Sequence, residues 1–161
     1  MAEKMTRWGV GPMFASLSII YGLFMIMLSR HFESLFEMNF IPYWLLATVG
    51  ILLILIGIPF NIVAIVTVTR AFNASNLVTG GIFGMCRHPL YAAWVVFIVP
   101  GIMLLVNSWI GLTTPPVMYF ILRILVRKEE ICLEKMFGDE YLAYKKRVPA
   151  VLPIGWLRSN A

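Results

Sequence analysis

The stretch Ile41-Pro42-Tyr43-Trp44-Leu45-Leu46-Ala47-Thr48-Val49-Gly50-Ile51-Leu52-Leu53-Ile54-Leu55-Ile56-Gly57-Ile58-Pro59-Phe60-Asn61-Ile62-Val63-Ala64-Ile65-Val66-Thr67-Val68 contains no charged residue. A bilayer core about 30 Å thick is crossed by about 20 residues of helix, so residues 41–68 span it with tilt. Pro59 removes a backbone donor and crowds the preceding turn, which predicts a kink there. Gly50 and Gly57 leave room for a second helix to approach closely.

Outward from this run the pattern repeats. Residues 12–28 form a first apolar run, and residues 89–106 and 109–126 a third and a fourth. The chain is 60% hydrophobic and 13% charged over 161 residues. Its mean hydropathy is +0.85. A soluble domain of this length could not hide so much apolar surface. The expected fold is an all-α integral membrane protein, a single domain over 1–161 with four spans, or five if the second run breaks near Pro59. The first run is too long, and too quickly followed by another, for a cleaved signal peptide. Strand alternation, internal repeats and low-complexity segments are absent from the sequence.

The connections carry the polar residues. Lys4, Arg7 and Trp8 lie in a short lead, and Glu33 and Glu37 in an interfacial link between the first two runs. Asn107-Ser108 is a tight turn that folds the third and fourth runs into an antiparallel hairpin. Beyond the fourth run the helix continues to Phe137 and ends at Gly138. Asp139 then N-caps a short amphipathic helix over 140–147, which Pro149 and Pro153 terminate. With four spans, Arg30 is the sole Lys or Arg in the loops of one side, and the other twelve lie elsewhere. That asymmetry places both termini in the cytoplasm, together with segments 70–91 and 127–153. The net charge of +5 is then a positive-inside signal and gives no support to nucleic-acid binding. Cys86 and Cys132 fall on the cytoplasmic side, where a disulfide is not expected. Two histidines, His31 and His88, without a close Cys/His grouping argue against a metal site.

Two polar clusters then fall on one side of the membrane. The first is Arg87-His88-Pro89-Leu90-Tyr91, which opens the third run and follows Gly80, Gly81 and Gly84. Pro89 suits a first helical turn. His88 reads either as an interfacial hydrogen-bonding histidine or as a ligand contact at a helix N-terminus. Tyr91 shares its face and reads equally as an aromatic-belt residue. The glycines are a loop, or a place where backbone approaches a ligand. The second cluster is Arg127-Lys128-Glu129-Glu130. An acidic pair there is a solvated helix face, or one carboxylate turns inward to hold a cationic or hydroxyl-bearing ligand. Arg123 interrupts an apolar run, so it snorkels or faces a polar cavity. Lys145-Lys146-Arg147 reads as an anchor for anionic membrane lipids.

Leu77-Val78-Thr79-Gly80-Gly81, Arg87-His88-Pro89-Leu90-Tyr91, Glu129-Glu130-Ile131-Cys132-Leu133, Phe137-Gly138-Asp139-Glu140-Tyr141, Tyr144-Lys145-Lys146-Arg147-Val148-Pro149 and Leu152-Pro153 together resemble the isoprenylcysteine carboxyl methyltransferases and their phospholipid-methyltransferase relatives. The resemblance covers 77–153; the N-terminal half is similar only as hydrophobic spans. It implies an integral membrane enzyme that uses S-adenosylmethionine and methylates a lipophilic acceptor entering from the bilayer. It implies a cofactor pocket of Leu77, Val78, Phe83, His88, Pro89, Leu90, Tyr91 and Glu129, with Ser75, Asn76 and Glu130 as neighbours. The family often has tyrosine where Phe83 stands. It places an arginine shortly before the acidic pair, where this chain has Leu125, so either Arg123 or Arg127 takes the catalytic task of orienting the acceptor or that role is absent. The acceptor is a prenylcysteine-like carboxylate, or a phospholipid or other small lipid. Two other readings stand beside this one: a sterol-reductase-like enzyme using NADPH, and a non-catalytic membrane scaffold.

Overall fold

The structure, a computed structural model, describes residues 10–74 and 76–152. Among these residues it is helical, without a β-strand; a single isolated bridge joins Glu37 and Ser108. Helix α1 is Gly11–His31, α2 Glu33–Phe36, α3 Tyr43–Ala74 and α4 Ile82–Met85. Helix α5 is Pro89–Leu105, and α6 is Thr114–Arg147 after a 3-10 turn at Gly111–Thr113.

Helix α1 has Pro12 in its first turn, where the missing N–H leaves nothing unpaired. It buries Phe14, Ser18, Gly22, Met25 and Ser29, a stripe with helical spacing. Its other faces are also apolar: Ile20 is 67% exposed and Met27 69%. A helix apolar all round belongs inside a large core or in lipid. Among the described residues α1 and α3 are long and apolar enough to cross a membrane, and α5 is shorter. Helix α3 continues past the apolar run to Ala74. At 1.5 Å per residue its length is about 48 Å, well beyond a bilayer core. It runs through Pro59 as one helix, so the second run is not divided.

Gly50 and Gly57 do what their size suggests. A Cβ at Gly50 would lie 2.8 Å from the carbonyl oxygen of Gly101, and one at Gly57 2.7 Å from Phe97 Cβ. Opposite Gly57, α5 widens into a π turn over Ala93–Ile98. Asn107, with φ of +58°, makes the turn that follows. The fourth helix starts at Thr114 rather than at residue 109, because Trp109 is tied back to the α2 region instead: its N–H donates to Phe36 O and its Nε1–H to Leu35 O. Pro115 and Pro116 then occupy the first turn of α6. Gly138, at φ +52° and ψ −128°, breaks α6 where the sequence ends it. The main core joins α1, α5 and α6 through Phe14, Tyr91, Val95, Met118, Leu122 and Leu125.

Candidate functional site

At one end of this core the chain turns back on itself. The Arg87 and His88 backbone N–H groups donate to the carbonyls of Pro149 and Ala150, both at 2.9 Å. Residues 148–151 are thereby docked beside the start of α5. Helix α6 passes on the other side and presents Glu129 and Glu130, both largely buried, so the solvated-face reading of this pair fails.

The two carboxylates have separate partners. Glu129 Oε1 accepts from the Val10 backbone N–H at 2.8 Å and from the Tyr91 hydroxyl at 3.1 Å. It therefore joins the start of α1 to α5 and α6. Its Oε2 lies 3.6 Å from His88 Nδ1. Glu130 accepts from the Arg87 guanidinium and lies 3.0 Å from Lys145 Nζ. His88 Nε2 is 3.5 Å from Glu130 Oε1 but makes no hydrogen bond, and it is buried. Burial alone would raise the Glu130 pKa; the adjacent His88 ring and the bonds from Arg87 and Lys145 outweigh it and hold the carboxyl well below its usual range. Lys145 also pairs with Glu134, which raises its pKa and keeps it charged. In this connected cluster two cations, Arg87 and Lys145, face three carboxylates with His88 among them. The carboxylates outnumber the cations by one.

The other candidates divide. Pro89 is buried, and Leu90 packs on the main core. Leu77 packs against Tyr141, Tyr144 and Val148. Phe83 takes part through its carbonyl, which accepts from the Tyr144 hydroxyl at 2.6 Å. Val78 is half-buried, and Asn76 is exposed with its N–H bonded to Ala71 O. Ser75 lies outside the described residues. Gly81 needs φ of +59°, while a Cβ at Gly80 or Gly81 would meet nothing, so no described residue crowds that turn. Leu125 is core, 7% exposed. Arg123 is exposed and lines a cavity of about 250 Å³ with Arg87, Tyr119, Lys145 and the 148–152 segment; Arg127 does not line it.

Sequence reasoning underrated Arg87 and Lys145. Arg87 makes the most bonds of any side chain here, donating also to the carbonyls of Lys145 and Val148. Its place at the head of Arg-His-Pro-Leu-Tyr was the available signal. Lys145 turns inward to the carboxylates, whereas its neighbours Lys146 and Arg147 are exposed. Burial pushes the Cys86 thiol up to about 12, which makes it an inert core residue.

The family model for the isoprenylcysteine carboxyl methyltransferase (ICMT) family matches residues 49–135, which include α5 and both carboxylates. The protein-S-isoprenylcysteine O-methyltransferase of Mus musculus is 35% identical over 119 residues, 68% of this chain and 42% of that protein. Its Homo sapiens counterpart is 34% identical over the same shares. A probable protein-S-isoprenylcysteine O-methyltransferase of Oryza sativa subsp. japonica is 27% identical over 79% of this chain and 71% of that protein. The chain thus spans about two fifths of the length of the two animal relatives. No solved structure matches. The matched segment covers more than half of the chain and carries the buried carboxylate cluster, and the chain belongs to the isoprenylcysteine carboxyl methyltransferase family.

Proposed function

We propose that the protein is an S-adenosylmethionine-dependent methyltransferase whose acceptor is the carboxylate of a prenylcysteine-like lipid. The observation that carries this reading is the buried Glu129, joined to Tyr91 and facing His88, beside Glu130 in a cluster with excess negative charge. Family membership supplies the reaction class, since the matched relatives are named O-methyltransferases acting on protein S-isoprenylcysteine.

The residues fit such a cofactor. A sulfonium-bearing, amine-bearing ligand complements the unbalanced carboxylates, and the unpartnered His88 Nε2 is free to hydrogen-bond it. When bound, S-adenosylmethionine supplies an electrophilic methyl group. Leu77, Val78, Phe83, Pro89 and Leu90 supply apolar walls around the polar groups. Glu130 is held and neutralised by Arg87 and Lys145, which leaves Glu129 as the carboxylate without a cationic partner. A carboxylate acceptor needs no general base, only a cation to orient it. Arg123 suits that task, because it is the arginine beside the Arg87 cavity and has no carboxylate partner among the described residues. Holding donor and acceptor in line and excluding water is the main catalytic requirement.

Helices α1, α3, α5 and the first part of α6 serve in this reading as four spans, with 140–147 as a cytoplasmic amphipathic helix. The acceptor enters sideways from the bilayer, and the cofactor from the cytoplasm, where both termini lie.

The test is calorimetric titration of detergent-solubilised protein with S-adenosylhomocysteine, with NADPH alongside. Saturable S-adenosylhomocysteine binding that His88→Ala abolishes supports the reading. NADPH binding in its place would make the chain a reductase. Arg123→Ala is expected to leave that binding intact and to lower turnover of an S-prenylated cysteine about ten- to a hundredfold, the worth of a charge-assisted hydrogen bond of about 1.5–3 kcal/mol. Arg127→Ala is expected to do neither.

A further inference from the structure

Asn61 stands alone as a carboxamide in the last third of the second apolar run, level with the first turn of α5. A half-buried carboxamide between two apolar helices is costly without a partner. It finds one in α5: Asn61 Nδ2–H donates to the Leu90 carbonyl at 3.2 Å. Leu90 sits between His88 and Tyr91, in the one turn that delivers both side chains to Glu129. One turn earlier on α3, Gly57 lies against Phe97 and Ile98, where α5 has widened into its π turn. Such widened turns are frequent at functional sites. Asn61 and Gly57 thus grip α5 on either side of the change in winding. Gly57 fixes the wide turn by close approach, and Asn61 fixes the turn before it by a directional bond.

We propose that Asn61 is a positioning residue for this site: through the Leu90 carbonyl it sets the rotation of the first turn of α5, and so the placement of His88 and Tyr91 against Glu129. The proposal rests on the cofactor reading above only for its binding readout. An interhelical bond serving only as glue would contribute to stability wherever it sat along α5. A bond at Leu90 controls the turn whose side chains meet the carboxylates.

Asn61→Leu removes the donor while keeping the branching and the number of side-chain heavy atoms, and Asn61→Gln keeps an amide that can reach the same carbonyl. Two quantities are measured on each purified variant: the Kd for S-adenosylhomocysteine, and hydrogen–deuterium exchange of the peptide covering 88–98. Asn61→Leu is expected to weaken binding about tenfold or more and to speed exchange over 88–98 selectively. Asn61→Gln is expected to recover most of both. Wild-type affinity and wild-type exchange in Asn61→Leu would overturn the proposal. So would a loss spread evenly over all helices, with a lowered Tm and no recovery in Asn61→Gln, because that is the behaviour of plain structural glue. If the wild-type protein itself fails to bind S-adenosylhomocysteine, the cofactor reading falls, and the exchange of 88–98 still decides for or against Asn61.

Discussion

Glu129 and Glu130 are adjacent in sequence and have opposite employments. Glu130 is neutralised by Arg87 and Lys145, and Glu129 faces only neutral donors and His88. A paired carboxylate is a source of pH-dependent stability. The Glu130 pKa is depressed in the folded protein relative to its ordinary value of 4.5. Its contribution is therefore complete above the unfolded value and is lost as pH falls from there toward the depressed one. The thermal midpoint of detergent-solubilised protein is expected to hold steady from neutral pH to about 5.5 and to fall below about 4.5. Glu130→Gln should start with a lower midpoint at pH 7 and show a shallower fall on acidification. An unchanged acid limb in that variant would mean that another carboxylate governs it. The sequence marked this pair, but not which member is which. That assignment depends on Arg87 and Lys145, which lie 43 residues before Glu130 on α5's entry and on the far side of the Gly138 break. The docking of Val10 on Glu129, across 119 residues, has no local signal at all.

Among the elements, the α3–α5 contact carries the greatest constraint. A Cβ at Gly101 would stand 2.7 Å from the Gly50 carbonyl oxygen, a backbone atom that cannot swing away. Gly101→Ala must therefore push two helices apart. The expected cost is about 1–3 kcal/mol, the usual range for overpacking, read as a lower midpoint in thermal unfolding. Gly138→Ala should cost about 1–3 kcal/mol for a different reason: nothing crowds that position, but its φ of +52° with ψ of −128° strains any residue with a Cβ. The sequence showed where the helices pack and where α6 breaks, because glycine announces both. It was silent on the π turn at Ala93–Ile98 and on the start of α6 at Thr114. Both are set by tertiary partners, Gly57 for the one and the α2 carbonyls bonded by Trp109 for the other, and those override the apolar pattern along the chain.

For the whole molecule, the decisive fact is that α1 and α3 are apolar on their exposed faces as well as on their buried ones. Leu55, Ile56 and Ile62 of α3 are each more than half exposed, and the same holds for Ile20, Leu23 and Met27 of α1. Apolar surface of that extent marks a face that meets lipid or protein, and both helices are long and apolar enough to cross a membrane. The polar cluster gathers at one end of this bundle, and the link containing Arg30 lies at the other end of α1 from the Val10–Glu129 bond. Positive charge then sets the direction: an end with a single arginine should face away from the cytoplasm. Labelling tests this directly. In a Cys132→Ser background, with Cys86 left in place because it is wholly buried, Asn39→Cys and Glu140→Cys each put a thiol at an exposed position on opposite ends. A membrane-impermeant maleimide should label Asn39→Cys in intact cells and Glu140→Cys only after permeabilisation. The reverse pattern would turn the protein over and move the site to the far side, out of reach of a cytoplasmic cofactor. Labelling of both in intact cells would mean that the two ends are not separated by a membrane, and the four-span reading would fail with it.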